Sequence, residues 1–368
     1  MEEKDAFWHE MHARFYKAFE EASRNKRGTR DESLFEMNLF ENLELLFMEV
    51  MSGRYKPSAG IAFVVEDPVV REIFAAPFRD RVVHHFLYDL IVEWWDKRLS
   101  FDAYSCRKGK GTLFGIYRLR DMIRKCSQNY TKKVYIAKFD IQGYFMSLPR
   151  RGLYERIMWG LNRQFPRGGP KYDLLKYLWY EIIFDDPTAK VEKRGGRNKW
   201  RKLPRTKSLF YQPIGRGIVI GNLSSQLLSN IYLDPFDRFM KFELGFKYYG
   251  RYVDDFYVVV TEDQLPYLKR CVKIIEMKLL EMGLTLHPRK RSIQSADKGV
   301  NFLGAVIYPR RIVPSRRLRN NFYKALQSYE MGYGDEETII SYMGLMKHYN
   351  SKKIMARIFD QVGLDFRF

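Results

Sequence analysis

In the first fifty residues apolar side chains recur at helical spacing: Phe7, Met11, Phe15 and Phe19 stand four apart, and Leu39, Leu43, Leu46 and Val50 continue similarly after a break at Lys26 to Asp31. Such stripes predict amphipathic helices whose apolar faces enter a core. The period then changes. Ile61 to Glu66 and Val69 to Ala75 are β-rich runs around Asp67-Pro68, a turn dipeptide, and predict a hairpin that carries Arg71. Helices are predicted again from about Asp80 to Arg98 and from Gly111 to Ser127. His84 and His85 fall in the first of these, where adjacent positions face different ways, so packing or solvent fits them better than joint metal binding. From about residue 131 to 310 strand and helix patterns mix. After Pro309 a mostly helical tail follows, with Arg310, Arg311, Arg316, Arg317 and Arg319 clustered at its start.

Two strand-like runs carry acids. Gly250 to Val260 is aromatic and β-branched except for Asp254 and Asp255, and burying ionised carboxylates is costly unless a cation compensates them. One reading is a hairpin whose turn falls at the two aspartates; the other, a metal site, needs a carboxylate from a second strand. Asp140 supplies it, ending the run Val134, Tyr135, Ile136, Ala137. If the runs are neighbours in an antiparallel sheet, strand spacing places Asp140 within about 5 Å of the Asp254-Asp255 turn. The three acids could then clamp two divalent ions about 4 Å apart, an arrangement suited to in-line phosphoryl transfer. One ion would acidify an attacking hydroxyl and the other would steady a pyrophosphate leaving group.

Charge suggests the substrate. The chain has 64 Lys and Arg against 44 Asp and Glu, a net charge of +20, which attracts polyanions. A ribosomal or membrane-surface protein would share that excess, but 46% hydrophobic and 16% aromatic residues indicate a folded body of two or three domains. No apolar run reaches the roughly 18 residues of a membrane span, so no membrane partner is expected. The acidic N-terminus does not have the pattern of a signal peptide. Cys106, Cys126 and Cys271 are far apart and lack metal-ligand spacing, which fits reduced thiols in a cytoplasm. Lys190 to Lys207 holds nine basic residues, one acid and Trp200, and such self-repulsion predicts a loop when unbound. It is either a nucleic-acid contact, with Lys199, Arg201 and Lys202 on phosphates and Trp200 stacked on a base, or a solvated excursion. The glycines at 109 and 111 and at 215, 217 and 221 fit neither a P-loop nor a dinucleotide fingerprint.

The ordered series Arg79-Asp80-Arg81, Ser105 to Gly111, Phe139-Asp140-Ile141, Ile220 to Gln226, Tyr252-Val253-Asp254-Asp255 and Phe302-Leu303-Gly304 resembles reverse transcriptases of the group II intron type. Phe78 to His85 and the Ile-Gly-Asn-Leu-Ser-Ser-Gln string resemble most the enzymes of diversity-generating retroelements, a branch that is bacterial, archaeal or phage-encoded. The resemblance implies an α+β right-hand polymerase: N-terminal helices and fingers over 1–130, a palm over 131–310 with a basic insertion at about 188–210, and a short helical thumb over 311–368. It assigns Asp140, Asp254 and Asp255 to catalysis and, with the Ile141 carbonyl, to two Mg²⁺ ions, for which Mn²⁺ would substitute. Arg71 would clamp the triphosphate of a dNTP, and Ile220, Gly221 and Gln226 would also lie by the nucleotide. Phe145 would gate against a 2′-hydroxyl, although a core phenylalanine would look the same. Lys290 would protonate pyrophosphate, with Arg289 and Arg291 as adjacent candidates. Tyr252 and the Phe302-Leu303-Gly304 primer grip would hold primer and template.

Ile220 is the most informative substitution. Where accurate relatives have a glutamine, an aliphatic side chain cannot make a hydrogen bond, and each lost contact resists a mispair by only about 1 to 3 kcal/mol less. Members of this branch copy a template RNA with errors at adenines and work with a small basic accessory variability protein. Those partners, and the RNA/DNA hybrid, are therefore expected here. Packing beneath a palm is the competing role for Ile220. Three functions follow from these readings: a mutagenic retroelement polymerase, an intron-like or defence-associated reverse transcriptase, and a non-catalytic RNA-binding protein. Missing C-terminal DNA-binding and nuclease segments speak against a full intron protein. The intact acids oppose the non-catalytic alternative.

Overall fold

The computed structural model describes residues 2–24, 28–66 and 69–364. The Asp67-Pro68 turn and Lys26 lie outside the described residues. Helices α1 (Glu2–Ser23), α2 (Arg30–Glu36) and α3 (Leu39–Met51) precede strands β1 (Ile61–Val65) and β2 (Arg71–Ala75), then α4 (Phe78–Asp96) and α5 (Thr112–Cys126). Next come β3 (Val134–Asp140), α6 (Tyr144–Ser147), α7 (Arg150–Gln164), α8 (Pro170–Phe184), β4 (Glu192–Lys193), α9 (Arg197–Lys202) and α10 (Leu223–Arg238). Strands β5 (Tyr249–Tyr252) and β6 (Asp255–Thr261) lead to α11 (Leu265–Glu281), β7 (Ser292–Ser295), β8 (Val300–Phe302), β9 (Ala305–Ile307) and β10 (Ile312–Pro314). The chain ends in α12 (Arg316–Glu330), α13 (Glu336–Met346) and α14 (Lys352–Val362). Two compact units result, each built from separate stretches: Met1–Ser100, Ile141–Asp237 and Met277–Thr285 form one, and Phe101–Asp140, Arg238–Glu276 and Leu286–Phe368 form the other.

In the first unit the predicted stripes are the core. Met11, Phe15, Leu43, Leu46 and Val50 are closed to solvent, and Phe15 meets Phe86 of α4 edge-on with ring centroids 5.2 Å apart. Each such burial stabilises by roughly 1.5–3 kcal/mol relative to exposure. The predicted hairpin is present, β1 and β2 pairing antiparallel from Ile61 opposite Ala75 to Val65 opposite Arg71. His84 is buried with Nδ1 2.9 Å from Ser224 Oγ, and burial pushes its pKa down to about 3, so it packs as a neutral ring.

The basic segment departs from expectation. Instead of an unstructured loop, β4 pairs parallel with β1, α9 follows, and the Trp200 ring stands edge-on to Phe210 at 5.9 Å with its Nε1–H donating to the Arg194 carbonyl at 3.0 Å. Lys202 reaches Glu66 at 2.8 Å, and Lys199 lies 3.9 Å from the same carboxylate. Contacts outside the segment thus offset the repulsion within it.

The second unit is built on an antiparallel sheet in the order β5-β6-β3-β7. Ile136, Tyr257 and Val259 of the sheet join Ile116, Leu119 and Ile123 of α5 in one apolar cluster. Val258 and Val260, which alternate with them, are buried too, so β6 reads as a continuous apolar run rather than an alternating one. The same cluster takes in Phe302 and Ile307 of the small sheet β10-β9-β8 and Phe322, Met355 and Phe359 of the last three helices. Cys106, Cys126 and Cys271 are free thiols. Among the described residues no helix is long and apolar enough to cross a membrane.

Candidate active site

Register in the central sheet brings the acids together. Asp140 at the end of β3 stands opposite Asp255 at the start of β6, and the next pair inward, Phe139 and Phe256, stacks at 5.1 Å. Tyr252 of β5 also pairs with Asp255, leaving Val253 and Asp254 as the hairpin turn. The expected hairpin is present with its turn one residue earlier than the aspartate pair, at Val253-Asp254, and Asp255 opens the second strand. Val253 has φ +55°, a left-handed conformation that a β-branched residue rarely adopts and that costs of order 1–3 kcal/mol.

Specific contacts hold that turn. The Val253 N–H donates to Ser105 Oγ at 3.2 Å, and the fully buried Arg251 donates from Nη1 to the Val253 carbonyl at 3.0 Å. Arg251 is itself fixed by its backbone, which donates to the Asp102 carbonyl at 2.8 Å and accepts from Tyr104 N at 2.9 Å. The buried Asp102 carboxylate takes Arg118 Nε at 2.7 Å and Lys241 Nζ at 2.6 Å. Ser105 and Arg251 were within reach of sequence reading, one in the Ser-Cys-Arg-Lys motif and the other a cation in a strand with apolar character. Their joint target, the Val253 peptide, was not.

The electrostatics are those of crowded anions. Burial, then the negative charges of Asp140 and Asp255, push the Asp254 carboxyl up to about 7. Asp255 is raised as well, chiefly by burial, although Lys138 Nζ lies 3.4 Å away. Lys290 Nζ donates to Asp140 Oδ2 at 2.9 Å, and His287 N–H donates to the Asp140 carbonyl at 2.8 Å, fixing that segment beside β3. Among the described residues no three acid, histidine or cysteine side chains are already gathered in metal-ligating geometry. The donor chemistry nevertheless fits Mg²⁺: hard carboxylate oxygens whose mutual repulsion is only partly offset by two lysines.

The remaining residues singled out from sequence divide between the units. In the second unit, Tyr252 Oη lies 3.4 Å from Thr112 Oγ1, Phe302 is buried edge-on to Tyr257 at 5.1 Å, and Leu303-Gly304 forms the two-residue β8–β9 turn, both with positive φ. In the first unit, Arg71 is exposed at the start of β2, Ile141 is buried, and the half-buried Phe145 accepts from Ile218 N–H at 2.9 Å. The Ile220 carbonyl accepts from Phe74 N–H at 3.0 Å, while its half-buried side chain packs against the apolar cluster formed by Ala62, Phe74, Met146 and Leu209. Gly221 has φ +135°, and a Cβ there would lie 2.6 Å from the Phe74 carbonyl oxygen, so this approach of backbone to β2 requires glycine. Gln226 sits half-buried in the first turn of α10. Lys199, Arg201 and Lys202 are exposed on α9, and the half-buried Trp200 between them is engaged by its own segment.

An antiparallel sheet tipped by facing aspartates and set among helices makes the fold α+β. Residues 70–307, more than half of the chain, match the family described as Reverse transcriptase (RNA-dependent DNA polymerase), and the chain belongs to that family. No curated protein matches its sequence. Among solved structures it is similar to telomerase from Candida albicans in complex with a TWJ fragment of telomeric RNA, at 12% identity and a TM-score of 0.51, over 86% of this chain and 58% of that one. Apo telomerase from Candida tropicalis, truncated from the C-terminal domain, gives 14% identity and a TM-score of 0.48 over 70% of this chain and 55% of that one. Telomerase from the same organism with a TWJ fragment gives 14% and 0.48 over 84% and 56%. The chain thus spans somewhat more than half the length of these solved chains. At such identity the likeness is one of fold.

Proposed function

We propose that this reverse transcriptase makes error-prone, adenine-mutagenised cDNA from a template RNA in a diversity-generating retroelement. The observation that carries the proposal is Ile220, an aliphatic side chain that packs against an apolar cluster and whose carbonyl accepts from Phe74 N–H. It can neither donate to nor accept from a base edge. In this reading residues 1–130 are N-terminal helices and fingers, 131–310 the palm and 311–368 the thumb. Asp140, Asp254, Asp255 and the Ile141 carbonyl would hold two Mg²⁺ ions, which when bound acidify the primer hydroxyl and stabilise charge on the leaving pyrophosphate. Arg71 meets the triphosphate as a planar cation, Phe145 lies beneath the sugar, and Lys290, held within the site by Asp140, supplies a proton to the leaving group. A small basic accessory protein and a structured template RNA complete the working assembly.

Primer extension on a defined RNA with Mg²⁺ and four dNTPs, followed by sequencing of the products, tests this. Errors concentrated at template adenines are expected, and Ile220→Gln should lower them about tenfold, one restored contact being worth 1 to 3 kcal/mol by the usual rule. Errors spread evenly over the four bases would favour an intron-like or defence-associated enzyme; no synthesis at all would favour a binding protein.

A groove of about 380 Å³ between α12 and α14 supports the polyanion partner. Arg316, Arg319 and Arg357 line it with Asn320, Tyr323 and Gln361, and Arg319 Nε is buried there without a hydrogen-bond partner among the described residues. The first turn of α12 carries Arg316, Arg317 and Arg319 and no acid, where the helix dipole favours an anion. Replacing the three arginines by alanine should reduce the slope of log affinity for RNA against log salt by about 2. An unchanged slope would remove the groove from the RNA path.

A further inference from the structure

Helices α2 and α3 present a surface whose chemistry runs against the rest of the chain. After Arg30, which opens α2, the stretch from Asp31 to Met51 has six acids and no lysine or arginine, in a chain of net charge +20. The same stretch leaves five large apolar side chains in water: Met37 is 77% exposed, Phe40 73%, Leu45 57%, Leu34 56% and Met48 44%. α3 already buries Leu43, Leu46, Phe47 and Val50, so its outward side, with Phe40, Leu45 and Met48, should be polar in a free-standing helix. Monomers rarely expose a contiguous apolar patch beyond a few hundred Å². Glu36 and Glu41 lie exposed among these side chains, and neither has an ion-pair partner among the described residues.

We propose that this face docks a basic amphipathic helix of a partner protein, whose apolar side chains cover Met37, Phe40 and Leu45 and whose lysines or arginines meet Glu36 and Glu41. Charge decides among the occupants. Nucleic acid and anionic lipid are repelled by the acids. A second copy using the same face would set Glu36 and Glu41 against their own counterparts, because a two-fold interface pairs a patch with itself. An acid-rimmed apolar face selects a basic partner both by long-range attraction and by rejecting the wrong sign. The proposal stands apart from the retroelement reading, since it uses no residue of the polymerase site.

The test uses the full chain and two synthetic eighteen-residue helices with the same leucine face, one carrying lysines and the other glutamates on its polar face. Fluorescence anisotropy should show binding of the lysine helix alone. Met37→Ser with Phe40→Ser, and separately Glu36→Lys with Glu41→Lys, should each weaken it about tenfold or more, which corresponds to about 1.4 kcal/mol. Primer extension by both variant pairs should equal wild type, so loss of docking and loss of polymerase activity are read apart. Equal binding of the two helices would overturn the proposal, as would lysine-helix binding indifferent to both variant pairs. A dimer that Phe40→Ser dissociates would also overturn it, by giving the face to a second copy.

Discussion

Asp254→Asn is expected to reduce RNA-templated DNA synthesis by about a thousandfold or more while leaving RNA affinity within about twofold of wild type, the loss expected when a divalent-ion site supplying several kcal/mol is disabled. The reasoning rests on the position of this side chain. Asp254 lies in the β5–β6 turn, is pressed upward in pKa by its surroundings, and faces two further acids from adjacent strands. Lys290 pairs with Asp140 and Lys138 with Asp255, and burial with the two neighbouring negative charges still outweighs Lys290 at Asp254. A cation bound there lowers the free energy of the folded state only, so Mg²⁺ should raise the melting temperature of the wild-type protein and leave that of Asp254→Asn unmoved. Undiminished synthesis by the variant, or an equal Mg²⁺ shift in both proteins, would withdraw Asp254 from the metal site.

Arg251→Met should produce the second largest loss. Removing a buried guanidinium leaves the Val253 carbonyl without its donor, and one such charge-assisted bond is worth about 1.5 to 3 kcal/mol. With that bond gone, the left-handed Val253 peptide loses one of the two contacts that hold it, and Asp254 is the next residue. We expect a stability loss of about 2 to 4 kcal/mol by chemical denaturation. We also expect a fall of about a hundredfold in kcat with little change in KM for dNTP, because the nucleotide contacts proposed for Arg71 and Gly221 are untouched. Arg251→Lys, which keeps the charge on a shorter stem, should recover part of kcat. A folded Arg251→Met enzyme with wild-type kcat would reduce Arg251 to a packing residue.

Much of this could be read along the chain because it rests on local rules. Helical-period stripes predict α1 and α3, and β-rich runs around a turn dipeptide predict β1 and β2. Acids inside an apolar run marked Asp140, Asp254 and Asp255, since the cost of burying a charge is visible in composition alone. The basic segment was misjudged for a related reason. Repulsion within residues 190–207 predicts a loop, whereas its order comes from β1 and Glu66, both distant in sequence, and from Phe210 just beyond its end. The exposed apolar faces of α2 and α3 are not legible in sequence, because an apolar residue at helical spacing looks like core until its surroundings are known.

By itself the sequence determined the N-terminal helices, the β1–β2 hairpin and the two acid-bearing strands, which acids would need compensation, and, through motif order, a family that the match over residues 70–307 supports. Those properties depend on side-chain period and charge, which neighbouring residues carry. Only the tertiary structure decided that Asp140 meets Asp255, that Asp254 occupies a strained turn pinned by Arg251 and Ser105, and which lysines pair with the acids. The physical reason is register: pairing two strands a hundred residues apart is set by the packing of the whole sheet, and a shift of one residue would turn every side chain on the strand to the other face.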